Sequence, residues 1–378
     1  MDISTLVVHG SDIKHDSTGS VSVPVYQSAT FAHIGVGQST GFDYSRDRNP
    51  TRSYLEQTMA RLEGGVDALA FTSGMAAEAA LMELFSPGDH IVASHDLYGG
   101  TRRLLDVISR KNGVTASYVN MSDIAAIENA LTPQTRMLFV ETPTNPMMHV
   151  TDIAAVAALA KQRDILLAVD NTFLTPYYQQ PLALGADIIV HSGTKFLAGH
   201  NDTLCGFLVV ASMELSERLR YIHKTTGACL SPFDSWLVIR GIKTLAVRMG
   251  RQSKTALAIA RWLTEHECVR KVYYVGLPSH PDYGLSQKQA SGFGSMISVE
   301  LDSEQTAQQV LERVRLIQFA ESLGGVESLI TYPMFQTHTE VPAGVRKALG
   351  VNERLLRLSV GLECKNDLIA DLAQALEG

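Results

Sequence analysis

"DIIVHSGTKFLAGHND" runs from Asp187 to Asp202. Its apolar start, Ile188-Ile189-Val190, predicts a short buried strand over 187–192. The strand runs into small polar residues, Ser192-Gly193-Thr194, and then into a single lysine, Lys195. A solvated surface lysine needs no such setting. A lysine that is partly desolvated beside groups able to hold an anion does, because burial lowers an amine's pKa and leaves it a usable base and nucleophile near neutral pH.

The surroundings of this stretch repeat its logic. Strands are predicted at 68–72, 90–94, 136–141, 165–171 and 187–192. Helices are predicted between or beside them at 54–62, 75–85, 101–109 and 151–163. Strands alternating with helices indicate βαβ units and a mainly parallel sheet. Runs such as "ILLAV" and "DIIV" lack polar alternation, as expected of strands covered on both faces. The pattern changes near Leu245. One long helix is predicted over 245–266, with Leu257, Ala260 and Leu263 three apart, followed by strands in "SMISVEL" (295–301) and "RLLRLSVG" (354–361) separated by helices. Three segments are therefore expected: an irregular N-terminal arm at 1–45, rich in Ser, Thr and Gly and without a core element of its own; a large sheet domain at 46–243; and a smaller α+β domain at 244–378.

Composition removes several classes of function. The 378 residues allow a large core, and roughly 100–200 residues per domain gives two or three units. A net charge of -7 argues against a nucleic-acid surface. Apolar runs are short or broken by polar residues, so no membrane span is expected. The N-terminus, with Asp2 and no long apolar run, does not resemble a secretory signal. Four scattered cysteines, Cys205, Cys229, Cys268 and Cys364, suggest neither a zinc site nor a disulfide framework, and a reducing cytoplasm suits them. His191 and His200 lack an accompanying ligand set, so no metal is expected.

Four points on the sheet carry the chemistry. "AFTSGMAAEAALMEL" (70–84) puts Ser73-Gly74-Met75 between a strand and a helix, where free N–H groups and the helix dipole favour a phosphate. Alone, such a junction is usually just a turn. "LLAVDNTF" (166–173) ends a strand with Asp170, and ligands of open α/β sheets gather at such strand ends. That acid could cap the next turn or pair with the protonated ring nitrogen of a cofactor. Lys195 follows by 25 residues, 195 − 170, about one crossover, so both side chains can reach one crevice. Ser192 and Thr194 can donate to the same phosphate. Together these features point to a Schiff-base lysine serving a phosphate-bearing pyridine cofactor.

The ordered motifs "YSRDRNPTR" (44–52), "TSGMAA" (72–77), "DLYGG" (96–100), "ETPTNP" (141–146), "VDNTF" (169–173), "HSGTKFLAGHND" (191–202), "ESLGGVESL" (321–329) and "RLSVGLE" (357–363) cover most of the chain. With them the sequence resembles the trans-sulfuration enzymes, pyridoxal 5'-phosphate (PLP) proteins of cysteine and methionine metabolism. The resemblance implies the aspartate-aminotransferase-type fold (fold type I), with a mainly parallel seven-stranded α/β sheet and a smaller α+β C-terminal domain. It also implies a homotetramer of two dimers, with active sites shared between chains.

Roles carry over by the same resemblance. Lys195 would bond the cofactor and shuttle protons, and Asp170 would pair with the ring nitrogen. Tyr98 would stack on the ring and take part in catalysis. Gly74, Met75, Ser192 and Thr194 would hold the phosphate, and Asn145 would contact the cofactor's hydroxyl side. Tyr44 and Arg46 would reach the phosphate of the neighbouring subunit. Arg357 would clamp the substrate α-carboxylate with Ser322 in support, and a guanidinium fork suits that task. In "RLLRLSVG", Leu356, Leu358 and Val360 share one strand face and Arg357 takes the other. Outside these motifs, Arg357 would read as a surface ion-pair residue, Tyr98 as packing, and Tyr44 and Arg46 as solvated loop. Gly193 departs from the resemblance, since relatives more often carry alanine there; activity is expected to be retained.

The scaffold cannot choose the reaction. Asp43 before Tyr44, Phe233 before Asp234 in "SPFDSW" (231–236), and Glu321 in "ESLGG" favour chemistry at the γ-carbon, with Asp43 and Glu321 near the substrate. The expected activity is cystathionine γ-synthase-like replacement, joining an O-acylhomoserine to cysteine or sulfide. Cystathionine γ- or β-lyase activity is the alternative, and a non-catalytic binding protein a remote one.

Overall fold

The computed structural model describes residues 1–11, 18–339 and 341–377. Seven strands form the larger sheet: β1 (Asp67–Phe71), β2 (His90–Ser94), β3 (Thr115–Val119), β4 (Thr135–Glu141), β5 (Leu166–Asp170), β6 (Ile188–Ser192) and β7 (Gly206–Val210). Their order across the sheet is β1-β7-β6-β5-β4-β2-β3. All pairings are parallel except those of β7, which runs antiparallel between β1 and β6. The mainly parallel sheet expected from the sequence is therefore present.

This topology decides where chemistry can gather. Since β7 is antiparallel to both neighbours, β1 points the same way as β6. The carboxyl ends of β1, β4, β5 and β6 thus lie along one edge, delivering Ser73, Glu141, Asp170 and Ser192 to it. Register tightens the grouping, because Glu141 stands beside Asp170 across the β4–β5 pair. The central strands are buried on both faces, with Leu138, Val140, Leu167 and Val169 in one apolar cluster and Phe139, Ala168, Ile188 and Val190 in another.

A second sheet of β8 (Val269–Tyr273), β9 (Met296–Leu301), β10 (Gln318–Phe319), β11 (Leu329–Thr331) and β12 (Leu355–Ser359) has the order β10-β11-β12-β9-β8. The helix Leu245–Thr264 leads into it and buries Ala256, Ile259, Ala260 and Leu263. Along β12, Leu356, Leu358 and the following Val360 enter the core of this part. Arg357 faces the other way and is also buried, at 1% exposure.

The N-terminal arm needs correction. Ile3–His9 is a helix, N-capped by Asp2, whose side chain accepts the Ser4 N–H. Val7 and Val23 belong to the main core cluster with Tyr54 and Leu55, and the Tyr54 hydroxyl donates to His9 O at 2.7 Å. A short helix with one deeply buried residue leaves too weak a periodicity to be seen in a Ser/Thr-rich stretch. Residues 12–17 of the predicted arm lie outside the described residues.

An ion cluster fastens the helix Pro50–Glu63 to β1. Arg220 reaches Glu56 at 2.9 Å and Asp67 at 2.7 Å. Burial alone would raise the Asp67 carboxyl, but Arg220's hydrogen bonds and charge outweigh it and hold it below its usual range. The folded pKa is depressed, so this stabilisation is full above the unfolded carboxylate pKa and is lost as pH falls through the folded value. Arg220→Met is expected to destabilise the fold by about 3 kcal/mol, because Asp67 loses the cation that holds it and buried Glu56 keeps only the longer contact to Arg52, at 3.5 Å. Denaturant unfolding at neutral pH tests this, and the difference from wild type should shrink at acid pH.

Candidate active site

The sheet edge opens into a cavity of about 330 Å³, a size suited to a small-molecule ligand. Its floor begins at the helix Gly74–Met82. Ser73 caps that helix by accepting the Ala76 N–H at 3.1 Å, leaving the N–H groups of Gly74 and Met75 at the mouth of the helix dipole. A Cβ on Gly74 would lie 3.0 Å from Ser192 Cβ, a contact tight enough that the end of β6 would have to give by a few tenths of an ångström.

Lys195 enters from the turn after β6. Its Nζ donates to Ser322 Oγ at 2.7 Å. Burial, and then the neighbouring charge of Arg357, lower the amine to about 8, with Glu321 acting in the opposite direction. Ser322 has a φ of +82°, a region that costs a non-glycine residue about 1–3 kcal/mol. That conformation presents its hydroxyl to Lys195 and its carbonyl to Arg357 Nη2, at 3.0 Å. Arg357 also donates from Nη1 to Asn145 Oδ1 at 2.7 Å and from Nη2 to Thr331 Oγ1 at 3.1 Å. Burial lowers the guanidinium to about 10. Its Nε has no partner, and no carboxylate lies within ion-pair distance among the described residues. A buried cation so arranged favours an incoming anion.

Asp170 lies at the end of β5, where Oδ1 accepts the Thr172 N–H at 2.8 Å. Burial raises its carboxyl above the ordinary range, opposed by Thr172 and His191. Tyr98 stands at the rim, 41% exposed, with its phenol pushed up mainly by burial.

Gly74, Met75, Tyr98, Asn145, Asp170 and Ser192 all line this one cavity, as do Thr194, Lys195, Glu321, Ser322 and Arg357. Thr194 differs from expectation in one respect: its hydroxyl accepts the Cys205 N–H at 2.9 Å and donates to Cys205 O at 3.2 Å. Asn145 likewise braces Arg357 through its side-chain oxygen. Asp43, Tyr44 and Arg46 are not brought to this cavity. Asp43 accepts from Ser39 and sits 3.3 Å from His33, while Arg46 lies over the Tyr44 ring at 5.3 Å and lines a separate hollow. Gly193 also has a local cause, since a Cβ there would meet the Phe207 ring at 2.7 Å.

Two ionisable cavity residues, Glu141 and Glu78, have no role in the sequence reading. Glu141 accepts the N–H of Tyr98 at 2.8 Å and of Asn145 at 2.9 Å, tying two loops together. Its signal was its place at the head of "ETPTNP". Glu78, an acid inside the Ala-rich "GMAAEAALM", is the other.

A buried amine, an acid at the adjacent strand end, a helix N-terminus and an unsatisfied guanidinium converge here. That set fits a phosphate-bearing carbonyl cofactor with an amino-acid substrate beside it. The chain belongs to the Cys/Met metabolism PLP-dependent enzyme family, whose profile matches residues 4–377. It is 47% identical over 375 residues to a cystathionine β-lyase of Lactococcus lactis subsp. cremoris, covering 99% of each chain. It is also 47% identical to a cystathionine γ-synthase of Haemophilus influenzae, covering 99% of this chain and 97% of that one. The crystal structure of a cystathionine γ-lyase from Lactobacillus plantarum, complexed with L-serine, superposes with a TM-score of 0.97 at 44% identity, over 100% of this chain and 99% of that one. The protein is thus a fold type I, PLP-dependent trans-sulfuration enzyme of the transferase or carbon–sulfur lyase type. Among the described residues no helix is long and apolar enough to cross a membrane.

Proposed function

We propose that the enzyme is a cystathionine γ-synthase-like catalyst of γ-replacement, joining an O-acylhomoserine to cysteine or sulfide in the cytoplasm. The observation that carries this reading is Glu321, which lines the cavity and acts electrostatically on Lys195. γ-Replacement requires proton movement at both Cα and Cβ, and a carboxylate beside the mobile amine supports that demand. Bound PLP supplies the electron sink that makes those protons acidic. Gly74, Met75 and Ser192 would hold its phosphate, with Thr194 buttressing the turn, and Asp170 would face its ring nitrogen under Tyr98. Arg357, braced by Asn145 and Ser322, would hold the α-carboxylate. Lys195 removes the Cα proton and carries protons to and from Cβ. The acyloxy group leaves Cγ as a carboxylate, the thiol sulfur forms the new Cγ–S bond, and the thiol proton is released.

Cleavage of cystathionine is the second reading, favoured by relatives named β-lyase and γ-lyase at comparable similarity. Product analysis separates the two. O-Acetylhomoserine, O-succinylhomoserine and cystathionine are each supplied with and without cysteine. Cystathionine formation from an acyl ester plus cysteine supports replacement. Its absence, with pyruvate or 2-oxobutyrate released from cystathionine, establishes a lyase instead.

The assembly in this reading is a tetramer of two dimers, with Tyr44 and Arg46 completing the partner's phosphate site. Their distance from their own chain's cavity is consistent with it. Arg46→Ala should then lower cofactor retention and activity together, since lysine or alanine cannot reproduce the guanidinium fork. Mixing Arg46→Ala with Lys195→Ala chains should restore part of the activity, because each hybrid dimer has one site with both residues intact. No recovery in samples proven to contain hybrids would refute the shared site.

A further inference from the structure

Glu78 has no role in the scheme above. It lies one helical turn beyond the Gly74–Met75 end, among alanines that give no reason for a charge. Only 4% of it is exposed, yet it lines the cavity. Oε1 accepts the Thr101 hydroxyl at 3.0 Å, while Oε2 has no partner among the described residues. An unsatisfied buried carboxyl oxygen is costly unless something else completes it.

The other ionisable groups facing this cavity are Tyr98, Glu141, Asp170, Lys195, Glu321 and Arg357. Glu141 is occupied by two backbone N–H groups, and Lys195 is coupled to Arg357 and Glu321. The charge that acts on Glu78 is that of Asp170; burial first, and Asp170 second, push its carboxyl up to about 8. Asp170 has a backbone donor and His191 to favour its ionised form, whereas Glu78 has a single hydroxyl. Two buried carboxyls of this kind do not both ionise unless a cation joins them. A protonated pyridine ring beside Asp170 is such a cation.

We propose that Glu78 is a positioning residue for the ring-nitrogen end of bound PLP: a second carboxyl, acting alongside Asp170, that keeps the ring nitrogen protonated to higher pH. This rests on the assignment of Asp170 to the ring nitrogen. The sign follows from electrostatics. An added anion stabilises the pyridinium and raises its pKa, and a neutral side chain at 78 lowers it, by about one unit.

The test uses holoenzyme carrying PLP labelled with nitrogen-15 in the ring, whose chemical shift reports ring protonation directly as pH is varied. Glu78→Gln keeps the shape and can keep the Thr101 hydrogen bond but removes the charge. Glu78→Leu removes both, and Glu78→Asp keeps a charge. The ring-nitrogen midpoint is expected to fall by about one unit in the Gln and Leu variants and to stay near wild type in the Asp variant. A wild-type midpoint in both neutral variants would overturn the inference. Asp170→Asn separates the two layers. If that substitution shifts the midpoint and the Glu78 variants do not, the role of Glu78 alone is refuted. If it too leaves the midpoint unchanged, the assignment of Asp170 fails and the inference falls with it.

Discussion

Lys195→Ala is expected to lose turnover by about 10⁴-fold, the scale for removing a group proposed both to transfer protons and to bond the cofactor. Lys195 is the only lysine lining the cavity among the described residues. No other amine there can bond a carbonyl in its place, and three of its ionisable neighbours are poorly suited to its proton-transfer role. Tyr98 has a raised pKa, Arg357 stays protonated, and Glu141 is committed to backbone N–H groups. The fold should survive, since the lysine contributes one side-chain hydrogen bond, to Ser322. Cofactor should still bind in part through its phosphate. Borohydride should fix PLP covalently to the wild type and not to the variant. Steady-state rates, a melting curve and that labelling together check the assignment, and substantial residual turnover in a folded, PLP-loaded variant would defeat it.

The middle of the sheet was legible because β4, β5 and β6 are continuous apolar runs, the mark of strands buried on both faces. The strand predicted at 90–94 matches β2, and the others agree within a residue or two at each end. What escaped has physical causes. β3 is a half-exposed edge strand, "TASYV", with no strong pattern. β7 follows β6 without a crossover helix and runs antiparallel, so alternation of strands with helices gives it no place. The predicted helix at 101–109 is α-helical only over Gly99–Arg103 and continues as a π-helix over Leu104–Ser109. The helices Met213–Thr226 and Pro232–Ile242 were not anticipated, the first being polar over most of its surface.

The cavity was legible where chemistry-bearing residues sit at strand ends, because parallel topology sends all those ends to one edge. Asp170 and Lys195 could be placed together from crossover length alone. Arg357 could be placed by alternation along β12, but its partners could not, as Asn145 and Ser322 are 212 and 35 residues away. Glu141 had only its place at the head of "ETPTNP" as a signal, and Glu78 depended on contacts between segments that no local pattern encodes. Asp43, Tyr44 and Arg46 rest on family resemblance, since within one chain they face elsewhere.

Arg357→Ala should cost about 100-fold or more in kcat/KM, the scale of roughly 3 kcal/mol for truncating one partner of a buried charge pair. The guanidinium is enclosed, and Asn145, Ser322 and Thr331 fix its plane while Nε remains unpaired. The α-carboxylate of an amino acid would supply the missing acceptor and countercharge. Arg357→Lys should recover little, because an ammonium offers a point charge in place of a planar fork and cannot satisfy Asn145 and Thr331 together. PLP content should change little in either variant. The decisive comparison uses a substrate analogue lacking the α-carboxylate. Wild type and Arg357→Ala should bind it with similar, weak affinity, whereas they should differ by about 100-fold with the intact amino acid. Equal affinity for the intact amino acid in both proteins would show that Arg357 supports the fold and does not hold the substrate.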